Sequence, residues 1–364
     1  MRRAMNKLTL TFCFLLLCCI PVLAVVPKTF VSIKSDDFYI NGKITYQGVT
    51  WNGHRIEGLL FNSRMVQGIF DDENPATRDL FKYPDTGKWD SDRNTNEFLA
   101  AMKSWRQHGL LAFTLNLQGG SPIGYGNHGW VNTAFDAQGN LKKPYLKRLK
   151  KILDRADDLG MVVILGYFYQ GQDEHLRDEK AVLNAVDNAT NWLLQQGYHN
   201  VMVEVDNECD VTYHHPILAA PRIHELIARV KAMHQGDFHL LVSTSFRGNA
   251  IPTAKVADVA DFLLIHGNKV EKPERIAQMV TETRAQTQRL IPVLFNEDDH
   301  YDFDKADNNL VSALKLHASW GYFDYRREGE KYEDGFQSVP VDWQINSERK
   351  KGFFNLLKNI TNGQ

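Results

Sequence analysis

Cysteine is scarce in this chain, with four among 364 residues. Three of the four, Cys13, Cys18 and Cys19, lie close to the N terminus, which leaves Cys209 alone in the rest of the chain. A single cysteine excludes an intramolecular disulfide and a Cys-x-x-Cys metal site in that part. No histidine is adjacent to Cys209, which favours a packed small side chain over a nucleophile.

An excess of either charge is also lacking, because the formal net charge is −2. This balance gives no support for nucleic acid or an anionic membrane surface as a partner. The chain further lacks the Gly-x-Gly-x-x-Gly and Gly-x₄-Gly-Lys loops that bind nucleotide phosphates in many open α/β sheets.

Long apolar runs are limited to the N terminus. Residues 1–7 are basic, residues 8–20 are apolar, and residues 22–24 offer small side chains to a signal peptidase. The run is too short for a membrane span, and no second one follows. The pattern predicts a secretory signal peptide, cleaved near Ala24, and a secreted or periplasmic protein without membrane attachment after cleavage.

After this segment, strand-like and helix-like stretches alternate. Eight apolar runs with strand-like composition are each followed by a helical pattern; they span residues 59–70, 110–117, 161–167, 201–208, 239–244, 262–266, 291–297 and 320–325. Helix boundaries carry their own signals. Asn94 with Glu97 is predicted to cap the first helix, Gly160 and Gly197 to end the second and third, and Ser347 to cap the last.

Eight such units without a linker predict a single (β/α)₈ TIM barrel over residues 58–364. Residues 25–57 precede it as a small N-terminal β-hairpin segment, with a type I′ turn predicted at Asn41-Gly42. The alternative architecture is an open doubly wound sheet, which the missing phosphate loop disfavours.

Acidic residues mark the ends of two predicted strands. Glu204, Asp206 and Glu208 share one parity of the fourth strand and therefore point the same way. The seventh strand ends in Asn-Glu at Glu297, roughly 90 residues later, which corresponds to three βα units. Two carboxylates at the C-terminal ends of parallel strands are what a two-carboxylate glycosidase requires.

These stretches resemble a known family. Residues 204–208, Glu-x-x-Asn-Glu, resemble a motif of clan A glycoside hydrolases, especially the cellulase-like family 5. Residues 292–297, Pro-Val-x-x-x-Glu, are similar to that family's seventh strand, and residues 38–43, Phe-x-x-Asn-Gly-Lys, resemble its N-terminal hairpin.

The resemblance implies a retaining glycoside hydrolase that cleaves O-glycosidic, β-type bonds of an oligo- or polysaccharide without a cofactor. It assigns Glu208 as general acid/base, Glu297 as nucleophile, Asn207 as the contact to the sugar 2-hydroxyl and His266 as an active-site histidine. A general acid must be protonated in the free enzyme, so we expect neighbouring negative charges to raise the pKa of Glu208.

The chain departs from the family pattern at three places. Thr114 stands where the family has an arginine, residues 167–169 (Tyr-Phe-Tyr) replace a histidine, and Asn268 stands where a tyrosine orients the nucleophile. Arg64, on the first strand, is the candidate for the missing positive charge near Glu297.

Several further side chains have two interpretations. Trp320, Trp130 and Tyr169 are candidates for stacking on sugar rings, with core packing equally favoured. Glu204 and Asp206 are interpreted as hydrogen-bonding supports rather than reactants, because they lie deeper in the barrel.

Two other classes of function remain open. A non-catalytic glycan-binding protein could use the same barrel, although such a protein has no need for the glutamate pair. A metal-dependent barrel hydrolase requires a His-x-His near the first strand, and none is present there. No metal site is predicted, and the acid-rich residues 298–304 are interpreted as a solvated loop rather than a cation site.

Overall fold

A computed structural model of the protein describes residues 27–126 and 128–363. The predicted signal peptide, residues 1–24, lies outside these ranges. Within them the barrel strands are β1 (Asn62–Arg64), β2 (Ala112–Asn116), β3 (Val162–Phe168), β4 (Val201–Asp206), β5 (Leu241–Ser243), β6 (Leu263–His266), β7 (Val293–Glu297) and β8 (Gly321–Tyr322). The helices that follow them are α1 (Ser91–Gln107), α2 (Lys143–Leu159), α3 (Glu179–Gln196), α4 (Ile223–Lys231), α5 (Ala254–Val259), α6 (Pro273–Arg284), α7 (Asn309–Lys315) and α8 (Glu348–Asn362).

The strands form a closed parallel barrel, as predicted. Six of them pair in the order β5-β4-β3-β2-β1-β8, and β6 pairs with β7. Backbone bonds around Ser319 join β7 to the chain that leads into β8, with Phe295 N–H donating to Ser319 at 2.9 Å and Ser319 N–H donating to Val293 at 3.0 Å. On the other side, Asp261 N–H donates to Val242 at 2.9 Å and joins β5 to the start of β6.

The barrel interior changes from apolar to polar along its axis. Apolar side chains such as Ala112, Ile164 and Met202 fill the N-terminal half, and Phe38 from the N-terminal segment closes that end. Buried polar side chains take over toward the C-terminal ends of the strands, including Glu204 and Asp206 on β4. The polar side chains therefore lie toward the mouth that the βα loops form, where TIM barrels carry their active sites.

The N-terminal hairpin prediction is confirmed. Asp37–Ile40 pairs antiparallel with Lys43–Ile44, and Val31–Lys34 adds a third strand. Asn41 and Gly42 both have positive φ, 54° and 73°, as a type I′ turn requires.

Helix ends follow the sequence at most positions. Gly160 and Gly197 end α2 and α3 in the left-handed conformation, and the Ser347 side chain caps α8. The predicted cap of α1 is wrong: Asp90 caps it by accepting from Arg93 N–H. The extended backbone of Asp90 lets its carboxylate reach that amide, whereas the Asn94 side chain is buried and donates to the backbone.

The first barrel strand is much shorter than the predicted residues 59–70. Its strand pairing ends at Arg64, and Val66–Ile69 form a short 3₁₀ helix. Gly68 allows this close turn, because a Cβ there would lie 2.9 Å from the side chains of Leu115 and Phe98. A continuous apolar run therefore hides a strand that turns over the barrel rim, and periodicity does not report that turn.

Among the described residues, no helix is both long enough and apolar enough to span a membrane.

Candidate active site

The fourth strand delivers its last glutamate in an unusual backbone conformation. β4 ends at Asp206, and Glu208 follows with φ of 56°, in the left-handed region. The Glu208 N–H donates to Ser245 Oγ at 2.9 Å, which anchors the turn to the end of β5. A non-glycine residue held at positive φ is uncommon and is found at functional sites more often than elsewhere. The turn leaves the Glu208 side chain 17% exposed at the mouth.

The seventh strand ends at Glu297, whose carboxylate is nearly buried beside Arg64. The Arg64 Nε lies 2.6 Å from Glu297 Oε2. The same guanidinium donates through Nη2 to Asn207 Oδ1 at 2.5 Å. Arg64 is 1% exposed, so its charge acts in a medium of low dielectric. One side chain from β1 therefore ties the end of β4 to the end of β7.

His266, the last residue of β6, lies between the two glutamates. Its Nδ1 donates to Glu208 Oε1 at 3.0 Å and lies 3.6 Å from Glu297 Oε2. One carboxylate oxygen of Glu208 and one of Glu297 lie within 4.8 Å of each other and of the imidazole nitrogen. Such a triplet has the spacing of metal donors, but the guanidinium of Arg64 already supplies the counter-charge beside Glu297.

Besides the ion pair with Arg64, Glu297 accepts a hydrogen bond from Asn268. The Asn268 Nδ2 donates to Glu297 Oε1 at 2.6 Å and to the Tyr125 hydroxyl at 2.8 Å. Each oxygen of Glu297 thus has its own partner, Arg64 on one side and Asn268 on the other. A carboxylate held at both oxygens has a fixed direction of attack.

Electrostatics at the two glutamates differ. Burial raises the pKa of a carboxyl, but the hydrogen bond and charge of His266, together with the charge of Arg64, outweigh burial and lower the pKa of Glu208. Burial dominates at Glu297 and raises its pKa in spite of Arg64 and His266. Burial alone would lower the pKa of His266, but the Glu297 and Glu208 carboxylates raise it.

The expectation that the pKa of Glu208 is raised is therefore wrong for the free protein. That expectation rests on the negative neighbours alone, whereas the positive charges of His266 and Arg64 have the larger effect on the pKa of Glu208. Both residues lie on strands that are distant in sequence, so the motif around Glu208 does not reveal them. In the free protein, Glu208 and His266 form a charged hydrogen-bonded pair.

Glu204 and Asp206 lie below the mouth. Glu204 Oε2 accepts from Asn296 Nδ2 at 3.1 Å and lies 3.7 Å from Arg64 Nη1. Asp206 accepts from the Thr244 hydroxyl, and complete burial raises its pKa well above the ordinary value. These contacts fit a supporting role for both acids.

Two of the three aromatic candidates, Tyr169 and Trp320, lie in different surroundings. The Tyr169 hydroxyl lies 3.0 Å from Ser121 Oγ, and the ring is 6% exposed at the wall of the site. Trp320 is completely buried, donates to Asp298 Oδ2 at 2.9 Å, and packs against Phe303. Its ring therefore offers no free face to a sugar in this structure.

The start of the acid-rich loop is held from inside the protein. Asp298 is fully buried and accepts hydrogen bonds from Trp320, from Asn309 Nδ2 at 3.0 Å and from His300 Nδ1 at 2.9 Å. Three donors on one carboxylate give it a structural role.

Sequence reasoning missed Tyr125 and Gln170. Tyr125 lies in a glycine-rich connection after β2, and the only signal was an aromatic residue among glycines at the C-terminal end of a barrel strand. Gln170 Oε1 accepts from Asn207 Nδ2 at 3.2 Å, a contact that no motif marks.

The fold is that of many glycoside hydrolases, including family 5 enzymes of clan A. An endo-1,4-β-mannanase from Rhizomucor miehei is 12% identical with a TM-score of 0.55, over 92% of this chain and 99% of that one. A glycoside hydrolase family 5 protein from Bacteroides vulgatus is 12% identical (TM-score 0.53; 87% and 68% covered). A β-glucosidase from Thermotoga maritima is 11% identical (TM-score 0.53; 85% and 99% covered). No family model matches the chain, and no curated protein sequence does.

Proposed function

We propose that this protein is a retaining glycoside hydrolase that cleaves β-linked oligo- or polysaccharides through Glu208 and Glu297. The observation that carries the proposal is the spacing of the two carboxylates at the barrel mouth, where one oxygen of Glu208 lies within 4.8 Å of one oxygen of Glu297. Retaining enzymes hold their carboxyl groups about 5–5.5 Å apart, whereas inverting enzymes need roughly 6.5–9.5 Å to admit a water.

In the first step Glu297 attacks the anomeric carbon. The new C–O bond forms as the bond to the leaving oxygen breaks, and Glu208 gives its proton to that oxygen. Arg64 and Asn268 hold the two oxygens of Glu297, so the nucleophile enters the reaction without reorienting. In the second step Glu208 takes a proton from water, the water oxygen attacks the anomeric carbon, and Glu297 leaves as a carboxylate.

The proton on Glu208 has a nearby source. His266 Nδ1 lies 3.0 Å from Glu208 Oε1, and a sugar seated over the mouth would remove water from the exposed part of that carboxyl. Burial raises the pKa of a carboxyl, so covering Glu208 favours transfer of the proton to it from His266, which is already fully buried. The acid is thereby generated on substrate binding.

Asn207 is placed to bind the sugar 2-hydroxyl. Its Oδ1 is held by Arg64 and its Nδ2 faces Gln170, so the amide orientation is fixed. A hydrogen bond to the 2-hydroxyl strengthens as positive charge develops at the anomeric carbon. It therefore stabilises the transition state of the reaction more than the bound substrate. These steps require no cofactor.

Azide rescue tests the assignment of both glutamates. The wild-type protein is screened on 2,4-dinitrophenyl β-glucoside and β-mannoside and on β-1,4-mannan and β-glucan. Glu208→Ala and Glu297→Ala should each lose several orders of magnitude in turnover, with Glu225→Ala on the surface as the control. Azide should restore turnover to Glu208→Ala with a β-glycosyl azide as product, and to Glu297→Ala with an α-glycosyl azide.

Binding of glycans without turnover by the wild-type protein would instead support a non-catalytic glycan-binding protein. Rescue products of the opposite anomeric form would exchange the two roles.

Secretion belongs to the same proposal and rests on residues 1–24. Expression of the full chain in a secreting host should release a protein whose N terminus lies close after Ala24. Recovery of the intact N terminus in a membrane fraction would contradict it.

A further inference from the structure

Tyr125 reaches across the barrel mouth from the connection between β2 and α2. Its ring packs edge-on against Tyr325 at 4.9 Å and Phe323 at 5.8 Å, both of which follow β8. The side chain remains 45% exposed. A residue from the second βα unit thus contacts the segments that follow the sixth to eighth strands, and Asn268 connects it to the nucleophile candidate.

The Tyr125 hydroxyl belongs to a chain of hydrogen bonds that ends at Glu297. It donates to Asp299 Oδ2 at 2.9 Å and accepts from Asn268 Nδ2 at 2.8 Å. The second hydrogen of the same Asn268 nitrogen goes to Glu297 Oε1 at 2.6 Å. Both hydrogens of one amide group are therefore assigned, one by Tyr125 and one by Glu297.

The orientation of the Asn268 amide depends on this arrangement. Asn268 is 3% exposed, and its Oδ1 has no hydrogen-bond partner among the described residues. Without Tyr125, rotation about the last side-chain bond would trade the donor for the acceptor and set Oδ1 against the Glu297 carboxylate. The tyrosine oxygen, oriented by Asp299, stabilises the rotamer in which the donor faces Glu297.

We propose that Tyr125 is a positioning residue for Glu297 that acts through the Asn268 amide. The consequence for catalysis rests on the proposed function, but the positioning itself concerns the free protein. Because Tyr125 is exposed at the mouth, a sugar bound there contacts the residue that fixes the direction of the nucleophile.

The test is a ¹³C NMR titration of the Glu297 side-chain carboxyl in protein labelled at glutamate Cδ, with the resonance assigned by Glu297→Gln. The hydrogen bond from Asn268 lowers the pKa of Glu297, so its loss should move the titration midpoint up. Arg64, His266 and Glu208 also face Glu297 and remain unchanged in every variant compared.

Four variants separate positioning from packing. Tyr125→Phe should raise the midpoint, Asn268→Ala should raise it at least as far, and the double variant should match Asn268→Ala alone. Tyr325→Phe, which removes the hydroxyl of the neighbouring ring, should leave it at the wild-type value. A Tyr125→Phe midpoint equal to that of the wild type, or additive shifts in the double variant, would overturn the proposal.

Kinetics give the second readout where the substrate screen finds turnover. Tyr125→Phe should lower kcat by about tenfold, the effect of one misaligned hydrogen bond, with KM nearly unchanged. A change confined to KM would assign Tyr125 to sugar binding and overturn its positioning role. Failure of the wild-type protein to hydrolyse any substrate would count against the proposed function and leave the NMR result to decide the positioning.

Discussion

Arg64 and Glu297 form a buried ion pair, with 2.6 Å between Nε and Oε2, across two strands that are distant in sequence. The Arg64 guanidinium places a positive charge beside Glu297, and the second strand has the uncharged Thr114. Because Arg64 also holds Asn207, removal of its fork would disturb both ends of the site. Arg64 therefore determines the geometry of this site as much as the two glutamates do.

Arg64→Lys is expected to lower kcat/KM by about a hundredfold, which corresponds to about 3 kcal/mol of transition-state stabilisation. Lysine keeps the charge but cannot pair with Glu297 and donate to Asn207 at the same time from one rigid guanidinium. The free energy of unfolding should also fall, by about 1–3 kcal/mol, because buried acceptors lose a donor. Steady-state kinetics and urea denaturation measure the two effects.

Arg148→Lys is the matched control. Arg148 on α2 is also buried, but it donates to the backbone oxygen of Ile69, outside the site. It should show a comparable loss of stability with unchanged activity. Equal losses of activity in both variants would mean that Arg64 acts only through stability.

Asp206→Asn is expected to gain stability relative to the wild type as pH rises. Burial raises the folded-state pKa of Asp206 far above that of the unfolded chain, so between the two values the folded protein holds the extra proton. The free energy of unfolding of the wild type then falls with increasing pH, starting near the unfolded pKa of about 3.9. Asparagine resembles the protonated form and lacks this loss.

Urea denaturation at pH 4.5, 6 and 8 measures the difference. Asp136→Asn is the comparison, because hydrogen bonds from Asn140 outweigh burial and lower the pKa of the half-buried Asp136. Its offset from the wild type should be constant over this range. A constant offset for Asp206→Asn as well would show that Asp206 is ionised in the folded protein.

Activity is expected to survive both EDTA and Cys209→Ala. Arg64, Asn268 and His266 provide the charge and hydrogen bonds at the glutamates. Cys209 is fully buried, and burial raises the pKa of its thiol, so the thiolate is not available. Loss of activity on chelation, restored by one divalent cation, would contradict the mechanism.

Much of the fold could be predicted because it is locally encoded. Glycines end α2 and α3 at Gly160 and Gly197, and the Asn41-Gly42 turn needs only two residues to specify it. The alternation of strands and helices then leaves few architectures. The two glutamates could be located for the same reason, because each follows directly on a recognisable apolar strand.

The rest depends on contacts between distant segments. The pKa of Glu208 is set by His266, 58 residues away, and the orientation of Asn268 by Tyr125, 143 residues away. Trp320 was a candidate for sugar stacking, but the chain around Phe303 covers its ring. A linear pattern carries no information about which loop covers which side chain.

The stereochemistry of hydrolysis tests the central claim most directly. One oxygen of Glu208 lies within 4.8 Å of one oxygen of Glu297, which is the close spacing of retaining enzymes, so we expect the reaction to pass through a covalent glycosyl-enzyme. Early-time ¹H NMR of the β-glycoside that the protein hydrolyses should then show the β-anomer of the product before mutarotation. First release of the α-anomer would contradict the account and remove Glu297 as the nucleophile.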